Sequence, residues 1–226
     1  MWSVVLGNIK GFIGKNMAYS VGLEKKDLDD YELVLLAKKG DQYAFSLLVK
    51  RYHHQLFNML YALVGDWDEA DDLAQETFLK MHRALPGFEG RAQFYTWLYR
   101  IGVNCWKDWR KTPRVQKEVS EFCEDGQSVF DRYESSNATD TQVETGEFQF
   151  MLEHALSKLQ DEYRVAVILR EIDGLGYDEI ADVLDCSVGT VKSRLFRGRT
   201  QLKKLWDMRY RSYWEGEGTR KALNGL

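Results

Sequence analysis

Apolar positions recur at helical spacing in two stretches of the chain, separated by one without any period. The pattern predicts a first helix over 29–39, stopped at Gly40, and a long second helix opened by Asp41 as N-cap. In that second helix Phe45, Leu48, Val49, Tyr52, Leu56, Met59, Leu60 and Leu63 keep three–four spacing, and Gly65 ends it. A third helix over 68–85 turns Ala70, Leu73, Ala74, Phe78, Met81 and Leu85 inward, until Pro86-Gly87 breaks it. The loop Phe88-Glu89-Gly90-Arg91 leads into a fourth helix over 92–111. Four helices on short connections can bury their stripes only against one another, so residues 28–111 are expected to form a bundle.

Residues 112–147 lose the period and are rich in Ser, Thr, Asn, Gln and acids, as an extended, self-repelling linker would be. A second helical unit over 148–206 ends in helices at 177–184 and 188–206, parted only by Asp185-Cys186-Ser187. A short helix, a tight turn and a basic helix make a helix-turn-helix. Ala181 sits where its two helices cross, and Ile180, Val183, Leu184, Val191 and Leu195 supply a small core. Residues 207–226 form a tail. Residues 1–27 are punctuated by Gly7, Gly11, Gly14 and Gly22 and are expected to be disordered, with Met17 as an alternative start.

Composition narrows the class. Only two prolines fall in 226 residues, with 29% charged and 13% aromatic residues, which favours an all-α chain. No run approaches the ~18 apolar residues of a membrane span. Cys105, Cys123 and Cys186 lack the spacing of a disulfide framework or a zinc site. A reduced, cytoplasmic protein without metal or cofactor is expected. The net charge is −4, but it is unevenly spread. Residues 64–79 carry six acids and no base, whereas 91–111 have a net charge of +4, 112–149 of −6 and 188–211 of +7. Two basic segments, each near an acidic one, suit two separate contacts with polyanions.

On the last helix, Thr190, Lys192, Ser193, Phe196, Arg197 and Arg199 face outward when Val191 and Leu195 point in. That mixture reads base edges and phosphates in a major groove. Gly198 is a helix-interior glycine that costs ~1 kcal/mol against Ala. On the fourth helix, Phe94, Trp97, Leu98, Ile101 and Cys105 form an inner face. Tyr95, Tyr99, Arg100, Asn104, Lys107, Trp109, Arg110 and Lys111 are left for other faces. Rings interleaved with cations suit unstacked bases, and Asn offers donor and acceptor to a flipped base edge. For Tyr95, Tyr99 and Asn104 the residues alone leave core packing and strand contact equally open. The acids Asp66, Asp68, Glu69, Asp71, Asp72 and Glu76 either serve the helix start and solvent or meet a basic protein partner. No carboxylate pair, Ser/His/Asp set or phosphate-cradling loop stands out, so catalysis is not expected.

Four stretches in order carry a resemblance. They are Glu32-Leu33-Val34 through Lys39-Gly40-Asp41-Gln42-Tyr43-Ala44-Phe45, and Asp71-Asp72-Leu73-Ala74-Gln75-Glu76-Thr77-Phe78. The third is Phe94-Tyr95-Thr96-Trp97-Leu98-Tyr99-Arg100-Ile101 with Asn104. The fourth runs from Leu169-Arg170-Glu171-Ile172-Asp173-Gly174 through Gly189-Thr190-Val191-Lys192-Ser193-Arg194. Together they resemble the extracytoplasmic-function sigma factors of bacterial RNA polymerase, close to the sigma-E type. The resemblance implies an N-terminal four-helix sigma domain (region 2, residues 28–111) and a C-terminal helix-turn-helix, winged-helix-like domain (region 4, residues 148–206). It implies that Asp68, Asp71, Asp72, Gln75 and Glu76 dock on core RNA polymerase. Phe88, Arg91, Tyr95, Thr96, Tyr99, Arg100, Asn104 and Lys107 would hold the melted −10 strand, and Thr190, Lys192, Ser193, Phe196, Arg197 and Arg199 the −35 duplex. The acidic linker would thread the polymerase's RNA path. An anti-sigma factor, often membrane-anchored, would cover the polymerase-binding faces. Gly102 and Gly198 stand where the family usually has Ala. A one-component repressor would explain 177–206 but leave the acidic cluster and outward aromatics idle. A base-modifying enzyme lacks its zinc ligands.

Overall fold

The computed structural model describes residues 28–116 and 152–209; the expectations for 1–27, 117–151 and 210–226 lie outside the described residues. The helices lying wholly within the described residues are, in order, α1 (Asp30–Lys38), α2 (Gln42–Val64), α3 (Trp67–Ala84), α4 (Phe94–Arg110), α5 (Asp161–Val167), α6 (Tyr177–Leu184) and α7 (Val188–Arg209); residues 113–116 and 152–157 are also helical. A 3-10 turn at Leu85–Gly87 follows α3, and a π-helical stretch at Ile168–Ile172 continues α5. The described residues are all-α, with no strand among them.

Helix ends are fixed by local chemistry. Asp29 and Glu32 close a capping box on α1, at 2.7 and 3.1 Å. Asp41 Oδ1 accepts from the Tyr43 and Ala44 amides at 2.9 and 3.0 Å, which satisfies two otherwise unpaired donors of α2. Gly65 ends α2 in the left-handed region (φ 79°), its N–H donating to Tyr61 O. Asp66 caps α3 through the Glu69 amide. In the second half, Glu179 Oε2 accepts from the Gly176 amide at the start of α6. Ser187 Oγ accepts from the Thr190 amide at the start of α7.

The expected stripes of α2 and α3 are buried: Leu48, Leu56, Met59, Leu60 and Leu63 from one, Ala70, Leu73, Ala74, Phe78 and Met81 from the other. Each such side chain contributes roughly 1.5–3 kcal/mol on burial. Ile180, Ala181, Val183, Leu184, Val191 and Leu195 fill the helix-turn-helix as expected. The two halves are not separate islands, because their buried residues join in one hydrophobic core. Arg164 stitches them: its buried guanidinium donates to Leu63 O at the end of α2 (3.2 Å) and to Leu159 O (3.2 Å). Burial draws that guanidinium down to about 10.

Two glycines turn out to be packing positions. A Cβ on Gly198 would lie 2.7 Å from Val167 Cγ2, and one on Gly102 would lie 2.9 Å from Leu56 Cδ1. The helix-interior cost expected at Gly198 is therefore offset by the close approach of α7 to α5.

Candidate nucleic-acid interface

The loop between α3 and α4 is shaped by the 3-10 turn around Pro86 and by Gly90 in the left-handed region (φ 73°). It delivers Phe88, half-buried, with its ring centroid 4.7 Å from Trp97 and 5.9 Å from Phe94. Its backbone is held from α1, where Lys38 Nζ donates to Phe88 O at 2.8 Å. Lys38 had no role in the sequence reading, since fifty residues part it from the carbonyl. Arg91 lies in the open, paired with Glu89 at 2.6 Å. Asn104, two turns along α4 from Trp97, is exposed. The Phe88–Trp97 ring pair and the exposed Asn104 amide, both on or against α4, are groups that can stack an unpaired base and hydrogen-bond its edge.

The rest of α4 departs from expectation. The helix is buried on two sides. Phe94, Leu98, Gly102 and Cys105 form the stripe turned to α2 and α3. Thr96, Tyr99, Val103 and Trp106 form a second stripe, also buried. Tyr99, for which the residues alone left core packing and strand contact open, is packed here at 4% exposed, and Thr96, which the resemblance assigns to the strand, is 2% exposed. Tyr99 Oη donates to Asp173 Oδ1 at 3.3 Å, across the boundary between the halves. Burial holds its phenol well above the usual range. Tyr95 is half-buried, edge-on to Tyr99. Arg100 pairs with Asp185 at 3.2 Å, and Arg110 makes a fork to Asp161 at 2.9 and 3.2 Å. Lys107 is exposed, yet desolvation draws its ammonium below the ordinary value, and Arg194 of α7 lowers it further.

On α3 the six acids divide. Asp66 is the cap, and Glu69 is held inside, accepting from Trp109 Nε1 at 2.7 Å and pairing with Arg114 at 3.0 Å. Asp68, Asp72, Gln75 and Glu76 face solvent, with Asp71 half-buried and accepting from Gln75 at 2.7 Å. Capping thus accounts for one acid, not the cluster. Leu79 lies at the C-terminal end of the same outward row and is 58% exposed, an apolar contact beside the acids. Sequence periodicity did not mark it.

On α7, Lys192, Ser193 and Arg197 are exposed, Thr190 is half-buried and Phe196 is 72% exposed. Arg197 Nη1 donates to Tyr163 Oη at 3.3 Å. Arg199 differs from expectation: its Nε donates at 2.9 Å to Glu171, whose side chain is mostly buried, so this guanidinium ties α7 to the π-helical stretch. Among the described residues no group of His, Cys, Asp or Glu could hold a metal ion, and no helix is long and apolar enough to cross a membrane.

Comparisons with known proteins agree with this layout. The Sigma-70 region 2 family matches residues 48–114, and the Sigma-70, region 4 family matches residues 149–202. The RNA polymerase sigma-H factor of Pseudomonas aeruginosa is 38% identical over 182 residues, covering 77% of this chain and 92% of its own. The ECF RNA polymerase sigma-E factor of Escherichia coli K12 is 40% identical over 179 residues, with the same coverage of 77% and 92%. Among solved structures, CnrH in complex with the cytosolic domain of CnrY is similar at 27% identity and a TM-score of 0.59, covering 78% of this chain and 96% of that one. The sigma factor RpoE in complex with the anti-sigma factor NepR from Bartonella quintana follows at 27% identity and a TM-score of 0.54, covering 73% and 98%.

Proposed function

The chain belongs to the extracytoplasmic-function family of RNA polymerase sigma factors, and we propose that its parts divide promoter recognition as follows. Residues 28–111 act as region 2 and residues 148–206 as region 4, joined by an acidic linker over 112–147. The outward row of α3 (Asp68, Asp71, Asp72, Gln75, Glu76) docks on a basic surface of core RNA polymerase. The Phe88 notch with Asn104 captures a base flipped from the −10 element, and Arg91, Tyr95, Arg100 and Lys107 hold the neighbouring strand. Thr96 and Tyr99 join them only when the second half moves off α4. On α7, Thr190, Lys192, Ser193, Phe196 and Arg197 read the −35 duplex, with Arg199 setting the pitch of the helix through Glu171.

The protein binds core RNA polymerase, directs initiation of transcription and is not an enzyme. It acts on DNA in the cytoplasm. Its genes are stress-response genes, and an anti-sigma factor controls it, in keeping with the complex of the similar RpoE with NepR.

One observation carries the reading: a region 2 match over residues 48–114 and a region 4 match over 149–202 occur in one chain, in order. Each cationic face neutralises few phosphates, so each alone binds weakly and with salt dependence. Held on polymerase at fixed spacing, the second contact becomes effectively intramolecular. Run-off transcription with purified core enzyme on a promoter library tests this. Promoter-specific transcripts that require the chain are expected. No association with core enzyme, or a promoter footprint by the free chain equal to that of the complex, would overturn it.

A further inference from the structure

One indole of the first half stays partly in water. Trp67 opens α3 directly after the Asp66 cap and is 49% exposed. Its ring is nevertheless held, with centroids 4.5 Å from Phe57 and 6.0 Å from Tyr61, both on α2. Phe57 is buried and is the middle of a ladder. His53, Phe57 and Tyr61, four residues apart, stack nearly parallel at 6.3 and 6.2 Å. A helix start needs no indole, and a ring already fixed by its neighbours has little freedom left to lose on binding. The residues along its helix on the solvent side are acids. Asp68 follows it, half-buried Asp71 stands one turn further, and Asp72 and Glu76 continue the outward row to Leu79. Helical rise puts about 18 Å between Trp67 and Leu79. Apolar contacts at the two ends with carboxylates between them complement a basic protein surface, whereas the same acids repel nucleic acid.

We propose that Trp67 is the apolar anchor of the core-polymerase docking surface, seated in a recess of the polymerase that adjoins the cations met by the acids of α3. The two kinds of group act at different ranges. Carboxylates attract before contact, so they set the rate of association and its salt dependence. Their grip within the complex is limited: Glu76 is shared with Lys80 at 2.8 Å, Asp71 with Gln75 at 2.7 Å, and solvated charges are screened beyond ~8 Å at physiological ionic strength. The indole acts only on contact. Burying it removes apolar area from water whatever the ionic strength, so it governs how slowly the complex separates. Trp is also the residue type most often found as the dominant contact of a protein interface.

This inference rests on the reading of α3 as the polymerase-docking row, and the test separates the two. Association and dissociation rates of the full chain with purified core enzyme are measured at low and at near-physiological salt. Trp67→Ala should leave association within about twofold and speed dissociation about 10–30-fold at both salts, as truncation of an aromatic anchor does. Asp72→Asn with Glu76→Gln should do the reverse, slowing association at low salt and flattening its salt dependence. Trp67→Phe keeps a ring on Phe57 and should restore most of the residence time lost in Trp67→Ala. Hydroxyl-radical labelling needs no substitution: oxidation of Trp67 in the unmodified chain should fall when core enzyme binds. Unchanged dissociation of a Trp67→Ala chain with unmodified helix content overturns the anchor, as does equal labelling of Trp67 in the free and bound chain. Loss of self-association in sedimentation, with core binding intact, would assign the ring to a second copy and overturn it too. An unmodified chain that does not bind core enzyme overturns the functional reading instead.

Discussion

Replacing Gly198 by Ala sets two opposing effects against each other at one methyl group. Within a helix the change gains ~1 kcal/mol, because Ala loses less backbone entropy. The new Cβ would sit 2.7 Å from Val167 Cγ2, 3.3 Å from Tyr163 Cβ and 3.4 Å from Tyr163 O. Carbon atoms rest at ~3.5–4.0 Å, so the approach to Val167 is about 1 Å too close. Val167 cannot swing aside, since it is 3% exposed and β-branched side chains are nearly fixed at χ1 in helices. Overpacking of this kind costs ~1–3 kcal/mol, which outweighs the gain and leaves a net loss of up to about 2 kcal/mol. Urea unfolding of the full chain should show a lower midpoint for Gly198→Ala, together with weaker −35 duplex binding as α7 lifts from α5. Gly189 provides the control, because a Cβ there meets only Ser187 Oγ at 3.6 Å. Its Ala variant should be unchanged or slightly more stable. A Gly198→Ala chain as much as ~1 kcal/mol more stable than the original would refute the packing argument.

Asn104→Ala should impair open-complex formation more on duplex promoter than on a pre-melted bubble, since base capture offsets the few kcal/mol of unstacking only in the former; equal losses on both templates would count against it. Lys38→Met should release the Phe88 carbonyl and weaken −10 strand binding by up to about fivefold, the worth of one hydrogen bond, with core-enzyme affinity unchanged. Reversing the outward charges of α3, as in Asp72→Lys with Glu76→Lys, should weaken core-enzyme binding while leaving binding of −10 single-stranded DNA intact. Stability should also depend on pH. Burial pushes the Asp173 carboxyl up to about 8, while Tyr99 from α4 and, behind it, Tyr52 from α2 stay protonated far above that. In the unfolded chain the carboxyl returns to ~3.9, so folding takes up a proton, and the stability this group contributes is fully present below about pH 4 and falls as pH rises towards 8. Asp173→Asn should flatten that profile in urea unfolding, and an identical pH profile in the two chains would refute it.

Local signals carried most of the fold. Asp41, Gly65 and Ser187 mark helix ends because a cap is decided within four residues, and the α2 and α3 stripes appear because each helix buries one side. α4 defeated that logic. A period read on one helix assigns a single inner face, whereas α4 is packed on two, so Val103 and Trp106 were missed and Tyr99 was left open between core and strand contact. The signal was present as a second row of Thr96, Tyr99, Val103 and Trp106 at three–four spacing. Nothing local could show that Arg199 is tied to Glu171 or that Gly198 meets Val167, because both partners lie about thirty residues away and are set by the fold.

The guanidinium of Arg164 on the Leu63 carbonyl of α2 bears on how promoter specificity can be re-engineered. A donor −35 module grafted at the linker would replace Arg164, Asp161, Asp173 and Asp185 together, and with them the cross-links described between the two halves. Such a hybrid would inherit new duplex preference but lose the ties between its halves, so its thermal stability would report how well the donor's acids fit the recipient's α4. Modularity in this chain thus applies to what is read and not to how the halves are held together.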